Sequence, residues 1–472
     1  MSEAMGDVAH VHLARAFARL VGPDGVITSP EELRVYDCDA MTYYHRALPG
    51  LVVLPRSTDQ VAAIVRQCAA AGVPFVPRGA GTGLSGGATP TGGEVVIALT
   101  RMTRILSVDT ANRMATVEAG CVNVWLTNAA RPRGFFYAPD PASQQACTLG
   151  GNVAENAGGP HCLKYGATTN HVLGVTTVLP DGTIARLGGP IRGRPGYDLV
   201  GVFVGGEGTL GICTEITLRL MPLPEAVKTI LAVFASIDAA SSAVSGMIAR
   251  GIIPVALEMI DRETVRVVEA YAKAGYPLDA EAVLLVELEG LRAEIEVEAV
   301  GVETICCQHG ALQVKVARTE EERALLWKGR KAAAGAFGKL TPHYYHDDAV
   351  VPRTRLPQVL QEIDEIAARH QVRIANVFHA GDGNIHPLVC YDGNVPGEKA
   401  RAFRAGAEML RACIRAGGTV SGEHGIGLEK REYLSLMYSP ADLAAMLRVR
   451  AVFNPAGLCN PGKVFPESVP NA

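Results

Sequence analysis

Residues 76–93, VPRGAGTGLSGGATPTGG, constrain the fold of this chain more than any other stretch. Seven of these 18 residues are glycine, and each glycine inside a helix or strand destabilises it by about 0.5–1 kcal/mol relative to alanine. Regular secondary structure is therefore disfavoured here, whereas a loop whose successive backbone N–H groups face an anion favours this composition. We predict a loop that holds the pyrophosphate of a dinucleotide.

Two common nucleotide-binding motifs do not fit this loop. Residues 81–86, GTGLSG, match the pattern GxGxxG, but a Rossmann site also needs a helix that opens on the last glycines. Residues 86–93 contain proline and few helix formers, so that helix is not expected. A Walker A loop is excluded because no lysine follows the glycines. A flexible surface loop stays the alternative for the motif taken alone.

Length and composition exclude several classes of protein. A chain of 472 residues predicts two or three domains. The net charge of −4, without a run of lysine and arginine, argues against non-specific nucleic-acid binding. The 11 cysteines form no CxxC pair, so neither an iron–sulfur cluster nor a structural zinc site is expected. With no signal-peptide pattern and no apolar run of membrane-spanning length, we expect a soluble intracellular protein.

Hydrophobic periodicity predicts alternating helices and strands in both halves of the chain. In the first half, the pattern predicts helices at 10–20, from Ser57 or Asp59 onward, and at 121–131, and strands at 51–54, 73–76, 94–99 and within 105–119. In the second half, it predicts strands at 228–234, 255–260, 282–289 and 312–317, with helices at 238–250 and 291–309. The second set predicts two β-α-β units on an antiparallel sheet, separated from the first half by a linker at 222–224.

Two further glycine-rich segments follow the first, at 149–160 and 204–212. One such segment is often only a turn. Three of them within about 140 residues indicate that several backbone segments closely approach one extended ligand.

The strings PRGAGTGLSGG, APDPASQQACTLGGNVAENAGGPHCLKYG and GGEGTLGI resemble the FAD-binding domain of vanillyl-alcohol-oxidase (PCMH) type flavoproteins. The likeness is greatest to the branch of the glycolate oxidase D-subunit and D-lactate dehydrogenase, and it extends over nearly the whole chain. It implies an α+β protein with an FAD-binding domain at 1–225, a substrate (cap) domain with an antiparallel sheet and a metal site at 226–440, and a C-terminal segment at 441–472 that returns to the FAD domain.

The resemblance also implies which residues hold FAD. Relatives with covalent flavin carry a histidine in the first glycine loop, and none lies between residues 76 and 94, so dissociable FAD is expected. The implied cofactor-binding residues are Pro77, Arg78, Gly79, Ala80, Gly81, Thr82, Gly83, Leu84, Ser85, Gly86, Pro139, Asp140, Ser143, Gly150, Gly151, Asn152, Asn156, Gly158, Gly208, Gly211, Ile212 and Asn460.

Two histidines flank a predicted hairpin in the second half. Residues 373–378 and 385–390 read as strands joined by a turn of glycine, aspartate and asparagine, which brings His379 and His386 close together. They are candidate ligands of a divalent ion, and the alternative is a pair of structural histidines. Glu423 and His424 lie in a second glycine-rich turn, SGEHGIG. Two histidines and one glutamate with open positions are typical of a catalytic metal.

The pattern HxGDGNxH…GEHGIG is that of the family. The resemblance implies that His379, His386 and Glu423 bind a divalent metal (Zn, Mn or Fe) and that His424 is the acid–base. It also implies that Arg330, in a predicted helix at 326–331, binds the substrate carboxylate, for which a guanidinium fork is suited. Residues 344–346, YYH, are further candidates for the pocket wall.

The implied reaction is the oxidation of a small 2-hydroxy acid, glycolate or D-lactate, to the 2-oxo acid, with hydride transfer to flavin N5. Implied partners are an iron–sulfur subunit and a second FAD-domain subunit, which pass electrons to membrane quinones. The protein would be cytoplasmic, or peripheral at the inner membrane through these partners. Two alternatives stay open: a stand-alone dehydrogenase for a larger acid such as D-2-hydroxyglutarate, and a non-catalytic flavin-binding subunit.

Overall fold

A computed structural model describes residues 2–191, 195–338 and 341–468. Its strands are β1 Val26–Ile27, β2 Leu51–Val53, β3 Phe75–Arg78, β4 Val95–Ala98, β5 Ile105–Asp109, β6 Met114–Glu118, β7 Phe135–Phe136, β8 Val172–Val178, β9 Ile184–Gly188, β10 Ile212–Arg219, β11 Met221–Pro222, β12 Ala226–Phe234, β13 Ala256–Asp261, β14 Ala282–Gly290, β15 Ala311–Val316, β16 His343–His346, β17 Ala349–Val350, β18 Arg373–His379 and β19 Asn384–Tyr391.

The helices follow the same chain order. They are α1 Ser2–Val21, α2 Pro30–Leu33, α3 Thr58–Ala71, α4 Asn123–Ala130, α5 Leu149–Glu155, α6 Cys162–Tyr165, α7 Leu199–Phe203, α8 Ile237–Ala249, α9 Arg262–Ala272, α10 Arg292–Gln308, α11 Glu320–Phe337, α12 Leu356–His370, α13 Glu398–Arg415 and α14 Pro440–Phe453. Among the residues described, none of these helices combines the length and the apolar character needed to cross a bilayer.

The chain forms two compact units. The first contains the described residues of 1–159, 167–223 and 423–472, and the second contains those of 160–166 and 224–422. Residues 423–440, expected from the sequence in the substrate domain, are part of the first unit. The assignment of flavin binding and substrate binding to separate domains stays a prediction.

The first unit contains two main sheets. One has the strand order β1-β2-β4-β3, in which β2, β4 and β3 are parallel. The other is antiparallel, with the order β5-β6-β10-β8-β9. The predicted helix α3 is confirmed: Ser57 caps its N-terminus by accepting a hydrogen bond from the backbone N–H of Gln60, and Val61, Ile64 and Cys68 are buried. Strands β2 and β4 are buried along their whole length, which explains their continuous apolar sequence.

The second unit is built on one antiparallel sheet with the order β15-β12-β14-β13-β18-β19-β16. The predicted strands and helices from 228 to 317 are confirmed, and one further helix, α9, lies between β13 and β14. One face of the sheet is covered by α9 and α11, where Val268, Trp327 and Phe337 join the strand residues Leu285 and Val377 in a single buried cluster.

Helix α9 is not predicted from the sequence. Asp261 caps it by accepting a hydrogen bond from the backbone N–H of Thr264, and Val265, Val268 and Ala272 are buried at helical spacing. The signals of an amphipathic helix are therefore present, although the eleven-residue helix follows β13 without a break.

Candidate functional site

The glycine loop after β3 lines a cleft within the first unit. This cleft contains about 850 Å³ of space, including its opening to solvent. It adjoins a second cleft with about 640 Å³ of such space, and the two share Gly79, Ala88, Thr148, Gly151 and Glu155. The predicted cofactor residues on the walls of one or both clefts are Pro77, Arg78, Gly79, Ala80, Gly81, Thr82, Gly83, Leu84, Ser143, Gly150, Gly151, Asn152, Gly158, Gly208, Gly211 and Ile212.

Glycine is required at particular positions in this loop. Gly81 has a φ of +72°, a backbone conformation that other residues adopt only with strain. A Cβ atom at Gly79 would collide with the Thr148 hydroxyl. The absence of side chains lets the loop approach α5 closely and leaves its backbone exposed to the cleft, as expected for a loop that holds an anion.

The second glycine-rich segment contains a helix that is not predicted from the sequence. Thr148 caps α5 by accepting a hydrogen bond from the N–H of Gly151, and Asn156 ends the helix with a φ of 54°. Two glycines in the first turn disfavour a helix, but Leu149 and Val153 are buried on one side of α5 and anchor it in a core cluster. Tertiary packing therefore outweighs local propensity here.

Six predicted cofactor residues do not line either cleft: Ser85, Gly86, Pro139, Asp140, Asn156 and Asn460. Two of them, Asn460 and Ser85, form hydrogen bonds with neighbouring segments instead. The buried Asn460 amide donates hydrogen bonds to the carbonyl oxygens of Gly87, at 2.9 Å, and Glu207, at 2.6 Å. The Ser85 carbonyl accepts a hydrogen bond from the N–H of Leu428 at 2.9 Å. Direct contact of these six residues with FAD stays a prediction.

The third glycine-rich segment anchors the loop that carries Glu423 and His424. The Glu207 carboxylate accepts hydrogen bonds from the backbone N–H groups of Ile426, at 2.7 Å, and Gly427, at 2.6 Å. Glu423 and His424 line the larger cleft together with the glycine loop. The first unit alone therefore brings the predicted acid–base to the wall of the predicted flavin cleft.

Two buried carboxyl groups at this site, Glu155 and Glu207, are not predicted from the sequence. Burial, together with the nearby charges of Glu207 and Asp39, raises the pKa of Glu155 well above its usual range. Burial raises the pKa of Glu207 to about 7, against the opposing effect of the hydrogen bonds from Ile426 and Gly427. Both carboxyls belong to glycine-rich segments, and nothing in the local sequence indicates that two acids 52 positions apart influence each other.

The walls of the two clefts fit FAD. An extended dinucleotide needs an elongated site that the backbone can approach closely. The glycines on the cleft walls are Gly79, Gly81, Gly83, Gly87, Gly150, Gly151, Gly158, Gly206, Gly208 and Gly211. At five of these positions, Gly79, Gly81, Gly87, Gly150 and Gly211, a Cβ atom would come closer than 3.0 Å to neighbouring protein atoms. The backbone amides that the glycines leave accessible are suitable donors for phosphate oxygens.

In the second unit, the predicted hairpin is confirmed. Strands β18 and β19 pair with His379 opposite Asn384 and His386 opposite Val377, so both histidines point to the same face of the sheet. Their ring centroids are 5.1 Å apart, and both residues are 6% exposed. His346 on β16 adds a third ring to this face, 5.4 Å from that of His386.

Arg330 and His379 share a buried carboxylate. Glu258 on β13 pairs with Arg330 of α11 at 2.6 Å and hydrogen-bonds Nδ1 of His379 at 2.7 Å. Although burial acts to raise it, the charges of Arg330 and His379 lower the pKa of Glu258 below its usual range. The guanidinium is therefore already engaged within the protein, and its contact with a substrate carboxylate stays a prediction.

We call the sheet face that carries His379 and His386 the histidine face. Among residues 344–346, Tyr345 does not lie on it. Tyr345 is buried against Phe403 and Gly406 of α13, on the other face of the sheet. Alternation along β16 causes this, because neighbouring strand residues point to opposite faces. The expectation that Tyr345 lines the pocket of the histidine face is therefore wrong, whereas His346 does lie on that face.

The members of the predicted metal set come from both units. His379 and His386 belong to the second unit, and Glu423 and His424 belong to the first. A metal ion bound by His379, His386 and Glu423 stays a prediction. Within the second unit, the imidazole pair on one face supplies the nitrogen donors that zinc, manganese or iron accept.

Comparison with known proteins identifies relatives of both parts of the chain. Residues 49–188 match the family described as FAD binding domain, and residues 223–464 match the family described as FAD linked oxidases, C-terminal domain. Glycolate oxidase subunit GlcD of Escherichia coli (strain K12) is 44% identical over 463 residues, which is 98% of this chain and 93% of the relative. D-Lactate dehydrogenase of Anaerostipes hadrus is 34% identical over 454 residues, 94% of this chain and 95% of the relative.

Among solved structures, p-cresol methylhydroxylase with substrate bound is similar in fold. Its TM-score is 0.81 at 17% sequence identity, and the match covers 97% of this chain and 96% of that chain. The α+β fold of the vanillyl-alcohol-oxidase type, expected from the sequence, is confirmed by this likeness and by the FAD-binding domain match.

Glu155→Gln is expected to flatten the pH dependence of stability. A carboxyl with a raised pKa stabilises the folded state at low pH, and that contribution is lost as the pH rises above the ordinary glutamate value of about 4.3. The variant has no such loss. Its thermal unfolding midpoint, followed by circular dichroism, should therefore fall less than that of the wild type between about pH 5 and pH 9.

Glu94→Gln is the matched control, with the opposite sign. Although burial acts to raise it, hydrogen bonds from Thr91 and Gly92 lower the pKa of Glu94. Its stabilising contribution is therefore present above about pH 4.3 and is lost as the pH falls. This variant should be less stable than the wild type at neutral pH, with a difference that shrinks in acid. Identical pH profiles of stability for Glu155→Gln and the wild type would contradict the raised pKa of Glu155.

Proposed function

This chain belongs to the family of FAD linked oxidases, and on that basis we propose that it oxidises a small 2-hydroxy acid, glycolate or D-lactate, to the 2-oxo acid. The observation that supports this proposal most strongly is its near full-length similarity to a glycolate oxidase subunit and to a D-lactate dehydrogenase. The cleft that the glycine-rich segments form and the histidine pair on the sheet of the second unit are consistent with such chemistry.

FAD is the proposed cofactor, held without a covalent bond. The glycine loop would hold the pyrophosphate, and the walls formed by α5 and by the segment around Gly208 would hold the rest of the molecule. When bound, the flavin supplies a hydride acceptor for the substrate α-carbon.

A divalent metal is the second proposed cofactor, with His379, His386 and Glu423 as its ligands. It would supply Lewis acidity at the substrate hydroxyl. The ring arrangement of the two histidines supports this role, because both side chains are presented on one face of the β18–β19 hairpin.

His424 is the proposed acid–base. It would remove the proton of the substrate hydroxyl, a role for which imidazole is suited near neutral pH. Its position on the cleft wall, in a loop that Glu207 fixes, supports the proposal. Arg330 would orient the substrate through its carboxylate.

The electrons must leave this chain through an acceptor. The sequence contains no clustered cysteines that could hold an iron–sulfur centre. We propose transfer to a partner subunit with such a centre, or directly to a quinone, and a cytoplasmic protein that meets the membrane only through its partners. The similarity to one subunit of a glycolate oxidase supports partner subunits.

Removal of the metal by EDTA is expected to abolish oxidation of glycolate or D-lactate while the yellow, FAD-loaded protein persists. The proposed metal ligands are side chains outside the three glycine-rich segments, whereas the flavin is proposed to be held by the backbone of those segments, so loss of the ion should leave flavin binding intact. Activity with a dye acceptor and the visible absorption spectrum measure the two properties separately. Full activity after complete demetallation would exclude a catalytic metal, and a protein that no substrate reduces under any condition would be a non-catalytic flavin subunit.

His424→Ala is expected to slow reduction of the bound flavin by about 10²–10⁴-fold, because the hydroxyl proton loses its acceptor. Anaerobic stopped-flow absorbance in a single turnover measures this rate without the downstream acceptor. His12→Ala, at an exposed position of α1, is the control and should reduce at the wild-type rate. Wild-type reduction in His424→Ala would remove this residue from the mechanism.

A further inference from the structure

One stripe of α11 binds two buried glutamates of the sheet below it. Arg323, Trp327 and Arg330 recur at helical spacing along this stripe. Arg323 and Trp327 hydrogen-bond Glu287 on β14, and Arg330 hydrogen-bonds Glu258 on the neighbouring strand β13. The Glu258 and Glu287 carboxylates are therefore comparable: each is buried, and each pairs with an arginine of the same helix.

Glu258 differs from Glu287 in what its second oxygen does. Oε2 of Glu258 accepts hydrogen bonds from Nε of Arg330, at 2.7 Å, and Nη2, at 2.6 Å, while Oε1 lies 2.7 Å from Nδ1 of His379. The Glu258 side chain is fully buried. The Glu287 carboxylate lies 4.0 Å from Nε2 of His161, which is beyond hydrogen-bond distance.

The backbone explains why the carboxylate reaches this histidine. Glu258 and His379 are directly opposite each other in the antiparallel pair β13–β18, so their side chains project from the same face of the sheet at neighbouring positions. A carboxylate on Nδ1 selects the tautomer that carries its proton there and restrains rotation of the ring. Nε2 is then the nitrogen that can act as a metal ligand.

We propose that Glu258 is a positioning residue that orients two site residues at once: it fixes the ring of His379 for a divalent cation and holds the guanidinium of Arg330 on the same face of the sheet. This inference rests on the proposed function, which assigns His379 to the metal and Arg330 to the substrate. Glu258 itself touches neither metal nor substrate. Its removal should act on the cation through His379.

Glu258→Gln and Glu287→Gln form a matched pair of variants. Each removes one buried negative charge from the contact between α11 and the sheet, so a general loss of packing or stability should appear in both. Only Glu258→Gln disturbs the hydrogen bond to His379. The measurement is isothermal titration calorimetry of chelator-treated, FAD-loaded enzyme with Zn²⁺ alone.

We expect Glu258→Gln to bind Zn²⁺ about 10–100-fold more weakly than the wild type, the range typical for loss of a carboxylate behind a metal-bound histidine. Glu287→Gln should bind it with wild-type affinity. Equal Zn²⁺ affinity of Glu258→Gln and the wild type, or equal weakening in both variants, would overturn the positioning role.

A spectroscopic measurement on the wild type tests the role of Glu258 even if Glu258→Gln does not fold. In ¹⁵N-histidine-labelled, metal-free enzyme, with the signals of His379 assigned by their loss in His379→Gln, the ring should carry its proton on Nδ1. A proton on Nε2 would overturn the proposal. Wild-type enzyme that binds no Zn²⁺ would instead overturn the proposed metal site, and the tautomer of His379 would still decide the role of Glu258.

Discussion

The two hydrogen bonds from the backbone of Ile426 and Gly427 to the carboxylate of Glu207 are the contact on which the candidate site of the first unit depends. They join segments about 220 positions apart in sequence and hold the turn that carries Glu423 and His424 against the glycine-rich segments. Burying a carboxylate is costly unless it accepts hydrogen bonds. The two backbone N–H groups therefore stabilise the buried Glu207 carboxylate, and the carboxylate in turn satisfies the two N–H groups. Position of the loop and burial of the acid therefore support each other.

A second buried glutamate has the corresponding role in the other unit. Glu258 lies among apolar residues of β13 and engages one arginine and one histidine. Taken alone, such a buried ion pair is weak evidence for stability, because the cost of desolvation offsets much of the attraction. Its value is geometric, since one carboxylate restrains two side chains that the proposed reaction needs. In both units, therefore, a buried acid from a different strand or loop fixes groups that are proposed to take part in the reaction.

The sequence predicts those parts of the structure that short-range rules govern. The absence of a helix after the glycine loop, the hairpin with His379 and His386, and the antiparallel sheet of the second unit all follow from local spacing. Helix α5 is missed because its glycines oppose a helix that distant packing stabilises. Glu258 and Glu207 are missed for a related reason: a lone acid in an apolar strand or a glycine-rich turn signals burial, but its partners lie more than 70 positions away.

Anaerobic mixing of the purified, FAD-loaded protein with single D- and L-2-hydroxy acids tests whether this chain oxidises such acids. Loss of the flavin absorbance reports oxidation of the acid and its stereochemistry without any partner subunit or acceptor. We expect rapid bleaching by glycolate or D-lactate and none by L-lactate. A flavin that stays oxidised with every 2-hydroxy acid, although the protein is fully loaded with FAD, would contradict it.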